Sequence, residues 1–367
     1  MSPAPLDCLL VTYPIESIHS DILEQMRALF KTVHFYPGED GSGTETEYKV
    51  VLPPPEVYAA ADAIFAFVVP ENLTHISQMP RLKLWQVMGS GTKPITDSAF
   101  YQSIPPEHPL VLSNIAGVHA VTIAEHVLMT SLMHFHRMDR CIEASRQGHW
   151  AGPTELGGLF IREMRSLTVG IITYGHIARE IGRLAAAFGS RVIVCTREGK
   201  PKTLGGYHIE GTGDVDSVIP SKYYTTDKKS LHDFLAESDI VVNMMPSSAA
   251  TYQFIGREEL KAMKDNALLV NCGRGETVDT EALIAACSAK DERTGATGAL
   301  VVGGASLDVT DPEPLPDGHI LYSLPNVIIT PHCSWASENI YRRVVELLKG
   351  NKKLVEEGKP AMNSLRG

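Results

Sequence analysis

Short apolar runs alternating with amphipathic stretches restrict most strongly what this chain can fold into. Residues 7–13, 61–69, 82–88 and 110–113 are such runs, each bounded by Pro, Gly or polar residues, and 18–30 carries a helical pattern between the first two. A second series opens at 168–172 and continues at 191–195, 240–244, 267–271, 306–309 and 326–330. Runs this short, separated by helical stretches, predict parallel strands joined by crossover helices. The expected class is α/β, with two Rossmann-like, doubly wound parallel-sheet domains.

A chain of 367 residues exceeds one ordinary core, which agrees with two series of strands. A helical pattern over 121–146 separates them, and a second one over 338–355 follows the last strand. The final helix has no sheet of its own, so it is expected to cross back to the first domain. The expected division is 1–117 with 335–367, a substrate-binding domain, and 118–334, a dinucleotide-binding domain, with the active-site cleft between them. Two loops are long and glycine-rich, 199–220 and 291–304, and such loops are commonly functional or mobile.

The net charge of −10 argues against a nucleic-acid partner. No apolar run approaches the ~20 residues needed to span a bilayer, and residues 1–10 do not read as a signal peptide. The six cysteines lack metal-ligand spacing, so no metal is expected, and reduced thiols in a cytoplasmic protein are the simplest reading.

The run 168–172 leads into Thr173, Tyr174, Gly175, His176, Ile177 and Ala178, then a helix to Gly189. This is the strand, turn and helix of a dinucleotide fingerprint, in which a glycine lets backbone approach a pyrophosphate at a helix N-terminus. Gly175 holds the middle glycine position and Ala178 the third, while Thr173 stands at the first. Some 20 residues on, where an acidic side chain would hold the ribose hydroxyls, the chain has Thr196 and Arg197, with Lys200 and Lys202 behind. A guanidinium there suits a 2′-phosphate, so NADPH is the expected cofactor, with NADH usable.

Three charged residues each lie just past the carboxyl end of an expected strand: Arg274 between Gly273 and Gly275, Glu313 between Pro312 and Pro314, and His332 after Pro331. Ligands of open α/β sheets bind at that edge. Arginine's planar fork matches a carboxylate. Histidine can donate a proton near neutral pH, and a carboxylate beside it favours the imidazolium and orients the ring. Together they suit reduction of a small 2-keto acid.

At these residues the sequence resembles the D-isomer-specific 2-hydroxyacid dehydrogenases. The resemblance is carried by Asn271 to Asp279, by Leu307, Asp308 and Val309 leading to Glu313, and by Thr330, Pro331 and His332. Met88 to Gly91 are similar to a substrate-carboxylate loop, and Ala124 and Glu125 to the start of an interdomain helix. The resemblance implies that Arg274 binds and polarises substrate, with Ser90 and Gly91 also holding it. His332 is then the acid/base, Glu313 orients it, and Asp308 meets the nicotinamide carboxamide. Pro246, Cys272 and Gly273 complete the expected cofactor set. The resemblance also implies an enzyme that makes D-2-hydroxy acids reversibly, and a homodimer. Two other readings stay open: a dinucleotide-sensing protein of the corepressor kind, and a biosynthetic reductase acting on a larger carbonyl or an imine.

Overall fold

A computed structural model of the chain describes residues 5–13, 20–37, 51–288 and 302–366. They form two compact units. One comprises the described parts of Met1–His119, Gly205–His208 and Ser337–Gly367, and the other Ala120–Leu204 and Ile209–Ala336.

The first unit is built on β1 (Cys8–Val11), β2 (Thr32–Phe35), β3 (Ala63–Ala66), β4 (Leu84–Val87), β5 (Val111–Ser113) and the C-terminal β13 (Ser364–Arg366). Their order is β13-β5-β4-β3-β1-β2, and only β13 runs antiparallel to its neighbour. All four residues of β1, β3 and β4 are buried, as strands covered on both faces require. The C-terminal helix Ile340–Glu356 belongs to this unit. Its buried Asn351 donates to Gln86 Oε1 (3.1 Å) and Ser113 Oγ (2.9 Å) on the sheet, and accepts from the Met362 N–H at 2.8 Å. Gly205–His208 joins the same unit through Tyr207, whose N–H donates to Asn363 Oδ1 at 3.0 Å.

The second unit holds seven parallel strands, β6 (Thr168–Ile172), β7 (Arg191–Cys195), β8 (Lys222–Tyr224), β9 (Ile240–Asn243), β10 (Leu268–Asn271), β11 (Gly304–Leu307) and β12 (Val327–Ile329). Their order is β12-β11-β10-β9-β6-β7-β8. Alternate residues feed separate cores: Val192 and Val194 enter one cluster, Ile193 and Cys195 the other. That period of two places helices against both faces. Strand order reverses between β6 and β9, and the crevice beyond their carboxyl ends is where such sheets bind ligands.

The two parallel-sheet α/β units agree with the expected class, and local differences have physical reasons. The expected helix over 121–146 is two helices, Ala120–His136 and Met138–Arg146. Arg137 between them takes φ +56°, which ends a right-handed helix, and its guanidinium caps the carbonyls of Gly158 and Phe160. The loop 199–220 is bolted to the helix His176–Ala187. Buried Arg179 donates to Lys202 O (2.6 Å), Ser217 Oγ (2.8 Å) and the Asp214 carbonyl, and buried Glu180 accepts from the Gly213 N–H at 2.6 Å. Most of the other long loop, 291–301, lies outside the described residues. Among those described, no helix is long and apolar enough to cross a membrane.

Candidate active site

The turn after β6 is set by Thr173, which takes the left-handed φ of +68°. A β-branched residue rarely adopts this conformation, and it persists where surrounding bonds determine it. Here the Thr173 N–H donates to Cys195 O at 2.9 Å and its hydroxyl to Met244 O at 3.0 Å. Gly175 then caps the helix His176–Ala187 with no side-chain acceptor, and a Cβ built on it would meet nothing within 4 Å. Open space over an uncapped helix N-terminus fits a pyrophosphate. His176 and Ile177 form the first turn above it. The ring of Tyr174 is committed elsewhere: it is buried, with its hydroxyl donating to Asp214 Oδ2 at 2.8 Å.

At the end of β7 the Thr196 hydroxyl accepts the Gly199 N–H at 3.1 Å, closing a tight turn that leaves Arg197 exposed. Lys200 is already engaged with Glu198 at 3.3 Å. Pro246 is exposed beyond β9, and its carbonyl accepts the Thr251 hydroxyl at 2.7 Å. The Cys272 thiol is buried beyond β10, and burial pushes its pKa up, so it is no nucleophile.

Arg274 owes its place to glycines and to a buried amide network. A Cβ on Gly275 would lie 1.9 Å from Thr310 O, and one on Gly273 would lie 2.8 Å from Met245 O, so neither position admits a side chain. The Arg274 carbonyl accepts from Thr277 Oγ1 (2.6 Å) and Asn271 Nδ2 (3.2 Å), and Asn243 Nδ2 bridges Asn271 and Thr277. The guanidinium itself is exposed, and its one intramolecular bond among the described residues is from Nη1 to Gly273 O at 2.7 Å.

His332 and Glu313 meet, with Nδ1 to Oε1 at 2.6 Å. That bond raises the histidine pKa and lowers that of Glu313, while burial of each works against the shift. The Arg274 charge is felt at both groups. With Nδ1–H given to Glu313, no protein group among the described residues engages Nε2. Asp308, 2% exposed, has its carboxylate bonded to the Thr330 hydroxyl and to the N–H groups of Cys333 and Ser334. In the first unit Ser90 and Gly91 follow the carboxyl end of β4. Both are exposed, and the Ser90 carbonyl accepts Asn114 Nδ2 at 3.0 Å.

The sequence alone assigned no role to Asn243, Thr277, Thr330 and His126, which support these groups, although Thr277 and Thr330 stand within the stretches that carry the family resemblance. Asn243 and Asn271 each end a buried strand with a polar residue, and that placement was a usable signal. His126 offered none, because its partner Thr330 lies 204 residues away along the chain.

Residues 128–334, more than half of the chain, match a family model described as D-isomer specific 2-hydroxyacid dehydrogenase, NAD binding domain. The chain belongs to the D-isomer specific 2-hydroxyacid dehydrogenases. This dehydrogenase is 28% identical over 321 residues to a glycerate dehydrogenase of Methylorubrum extorquens, covering 86% of this chain and 90% of that protein. A glyoxylate reductase of Thermofilum pendens is 30% identical over 249 residues, 68% of this chain and 66% of its own length. Among solved structures, a D-isomer specific 2-hydroxyacid dehydrogenase from Xanthobacter autotrophicus Py2, in complex with NADPH and MES, is 24% identical. It superposes with a TM-score of 0.70 over 99% of this chain and 98% of that one, which shows a shared fold. The dehydrogenase is thus an NAD(P)-dependent oxidoreductase, and the open backbone at Gly175 fits that cofactor class.

Proposed function

We propose that this dehydrogenase reduces a small 2-keto acid reversibly to its D-2-hydroxy acid, with NADPH preferred over NADH. The observation that carries the reading is the 2.6 Å contact of His332 with Glu313 beyond the sheet edge, within the field of an Arg274 that makes no ion pair among the described residues. Arg274 binds the substrate carboxylate and polarises the neighbouring carbonyl. His332 gives its proton to the carbonyl oxygen as charge develops there, and Glu313 keeps the imidazole protonated and aimed. The reduced nicotinamide, when bound, supplies the hydride. The backbone at Gly175, His176 and Ile177 would hold its pyrophosphate, and Arg197 would meet the 2′-phosphate. Following NADPH oxidation with glyoxylate, hydroxypyruvate, pyruvate and aryl-pyruvates tests the reading. Tight NADPH binding with turnover of none of them would remove it in favour of a sensing role.

The His332–Glu313 pair makes a signed prediction. Reduction needs protonated His332, so the rate falls as pH rises through the histidine pKa. The Glu313 anion raises that pKa. In Glu313→Gln the anion is gone and the fall moves to lower pH. Superimposable pH profiles of kcat for the two proteins would show that the pair does not govern the proton.

We also propose a homodimer. The helix Met138–Arg146 buries none of its residues, and the chain after it leaves Trp150 95% and Phe160 83% exposed. A subunit contact would cover these apolar side chains. Sedimentation should show a dimer that Trp150→Glu with Phe160→Glu converts to monomer; a monomeric parent protein refutes the proposal.

A further inference from the structure

His332 sits in a strained backbone, at φ +48°. The left-handed region is uncommon for a residue with a side chain, so something must impose it. Asp308 does so from beyond the end of β11. Its carbonyl accepts the His332 N–H at 2.9 Å, a donor shared with the Thr330 carbonyl at 3.0 Å, and its carboxylate accepts the next two amides, Cys333 N–H at 3.1 Å and Ser334 N–H at 3.2 Å. The Trp335 indole N–H closes the turn on the His332 carbonyl at 2.8 Å. Three successive amides thus converge on one aspartate, and the imidazole is carried by that turn.

The aspartate is in turn held from behind. The Thr330 hydroxyl donates to Asp308 Oδ1 at 2.6 Å. Its single proton is then used, so its 3.2 Å contact with His126 Nε2 requires the histidine to donate. His126 lies buried on the helix Ala120–His136, 204 residues away from Thr330. A neutral ring carrying its proton on Nε2 satisfies that bond, and burial favours neutrality by lowering the His126 pKa against the pull of Asp308.

We propose that Thr330 and His126 are positioning residues of the reaction, a two-step hydrogen-bond brace that fixes the Asp308 carboxylate and so holds the turn that presents His332 to Glu313 and substrate. This rests on the reading of His332 as the proton donor. The charges facing His332 are Glu313, Asp308 and Arg274, and the titratable groups acting on or around Asp308 are His126, Cys272 and Cys333. Without the brace the turn relaxes, the contact with Glu313 loosens, and less of the imidazole is protonated at a given pH.

The test compares Thr330→Val, which keeps shape and loses the hydroxyl, with Thr330→Ser, which keeps the hydroxyl, in the full-length enzyme. Thr330→Val should lower kcat for keto-acid reduction about tenfold and move the alkaline fall in rate to lower pH. Thr330→Ser should restore most of both. A histidine NMR titration should show the His332 pKa lowered in the valine variant alone, a change that mere loss of stability would not produce. If Thr330→Val fails to fold, His126→Leu against His126→Gln, which keeps an N–H donor, is read in the same two ways. Parent-like kcat and pH profile in Thr330→Val, or equal defects in the valine and serine variants, would overturn the brace while His332→Asn remains inactive. Full activity in His332→Asn would overturn the proton-donor reading and the brace together.

Discussion

Arg274→Lys is expected to lower kcat/KM for keto-acid reduction at least tenfold, with cofactor affinity nearly unchanged. Lysine keeps the charge, so bare electrostatic attraction to substrate survives. What it loses is the fork, two parallel N–H donors matched to a carboxylate, which an ammonium on a flexible stem cannot reproduce. One charge-assisted hydrogen bond contributes roughly 1.5–3 kcal/mol, which corresponds to tenfold or more in kcat/KM. The structure adds a reason why lysine cannot compensate. Gly273 and Gly275 press the backbone against Met245 and Thr310, and the Arg274 carbonyl is bound by Asn271 and Thr277, so the main chain cannot shift to bring a shorter head group forward. Steady-state kinetics with the substrate identified in the keto-acid panel decide the matter, and a variant with parent-like kcat/KM would end the assignment.

The fold class was legible because buried parallel strands read as continuous apolar runs, and those of β1, β3, β6 and β10 do so. The strands that sequence reasoning passed over, β2, β8 and β13, lie at sheet edges, have three or four residues and are largely unburied. An edge strand needs no apolar run, so it leaves little pattern. The break at Arg137 was invisible for a different reason. Its left-handed φ accompanies side-chain bonds to carbonyls some twenty residues downstream, and helix periodicity carries no trace of that. Around the site, the position of a residue after a strand was readable, and its support was not. Thr173 is the clearest example. As a sequence it departs from the glycine of the fingerprint, yet in the fold it takes the glycine's conformation, held by Met244 and Cys195 from two other strand ends. Arg179 and Glu180 likewise read as ordinary polar positions of a helix, and they are buried because the loop 199–220 folds over them.

NADPH should be preferred over NADH by roughly one to two orders of magnitude, the amount one or two charge-assisted bonds supply. Sites that prefer NAD place a carboxylate after the second strand, where it accepts from the ribose hydroxyls and repels a phosphate. Here that position is Thr196, whose hydroxyl accepts the Gly199 N–H, and the next residue is an exposed guanidinium. The local geometry narrows the candidates behind it. Lys200 is paired with Glu198, so Arg197 is the cation of this turn with no ion pair among the described residues. Exchanging Thr196→Asp together with Arg197→Ser should collapse or reverse the preference, chiefly by raising KM for NADPH. The turn should survive the exchange, since an aspartate oxygen can accept the Gly199 N–H that the threonine now holds. Initial rates over a range of each cofactor, at one fixed keto-acid concentration, give the two specificity constants and their ratio. Equal use of both cofactors by the parent enzyme, or an unchanged ratio in the double variant, would mean that the phosphate is read elsewhere. Lys202 would then be the next residue to change, because the buried Arg179 holds its carbonyl at 2.6 Å and fixes where its side chain starts.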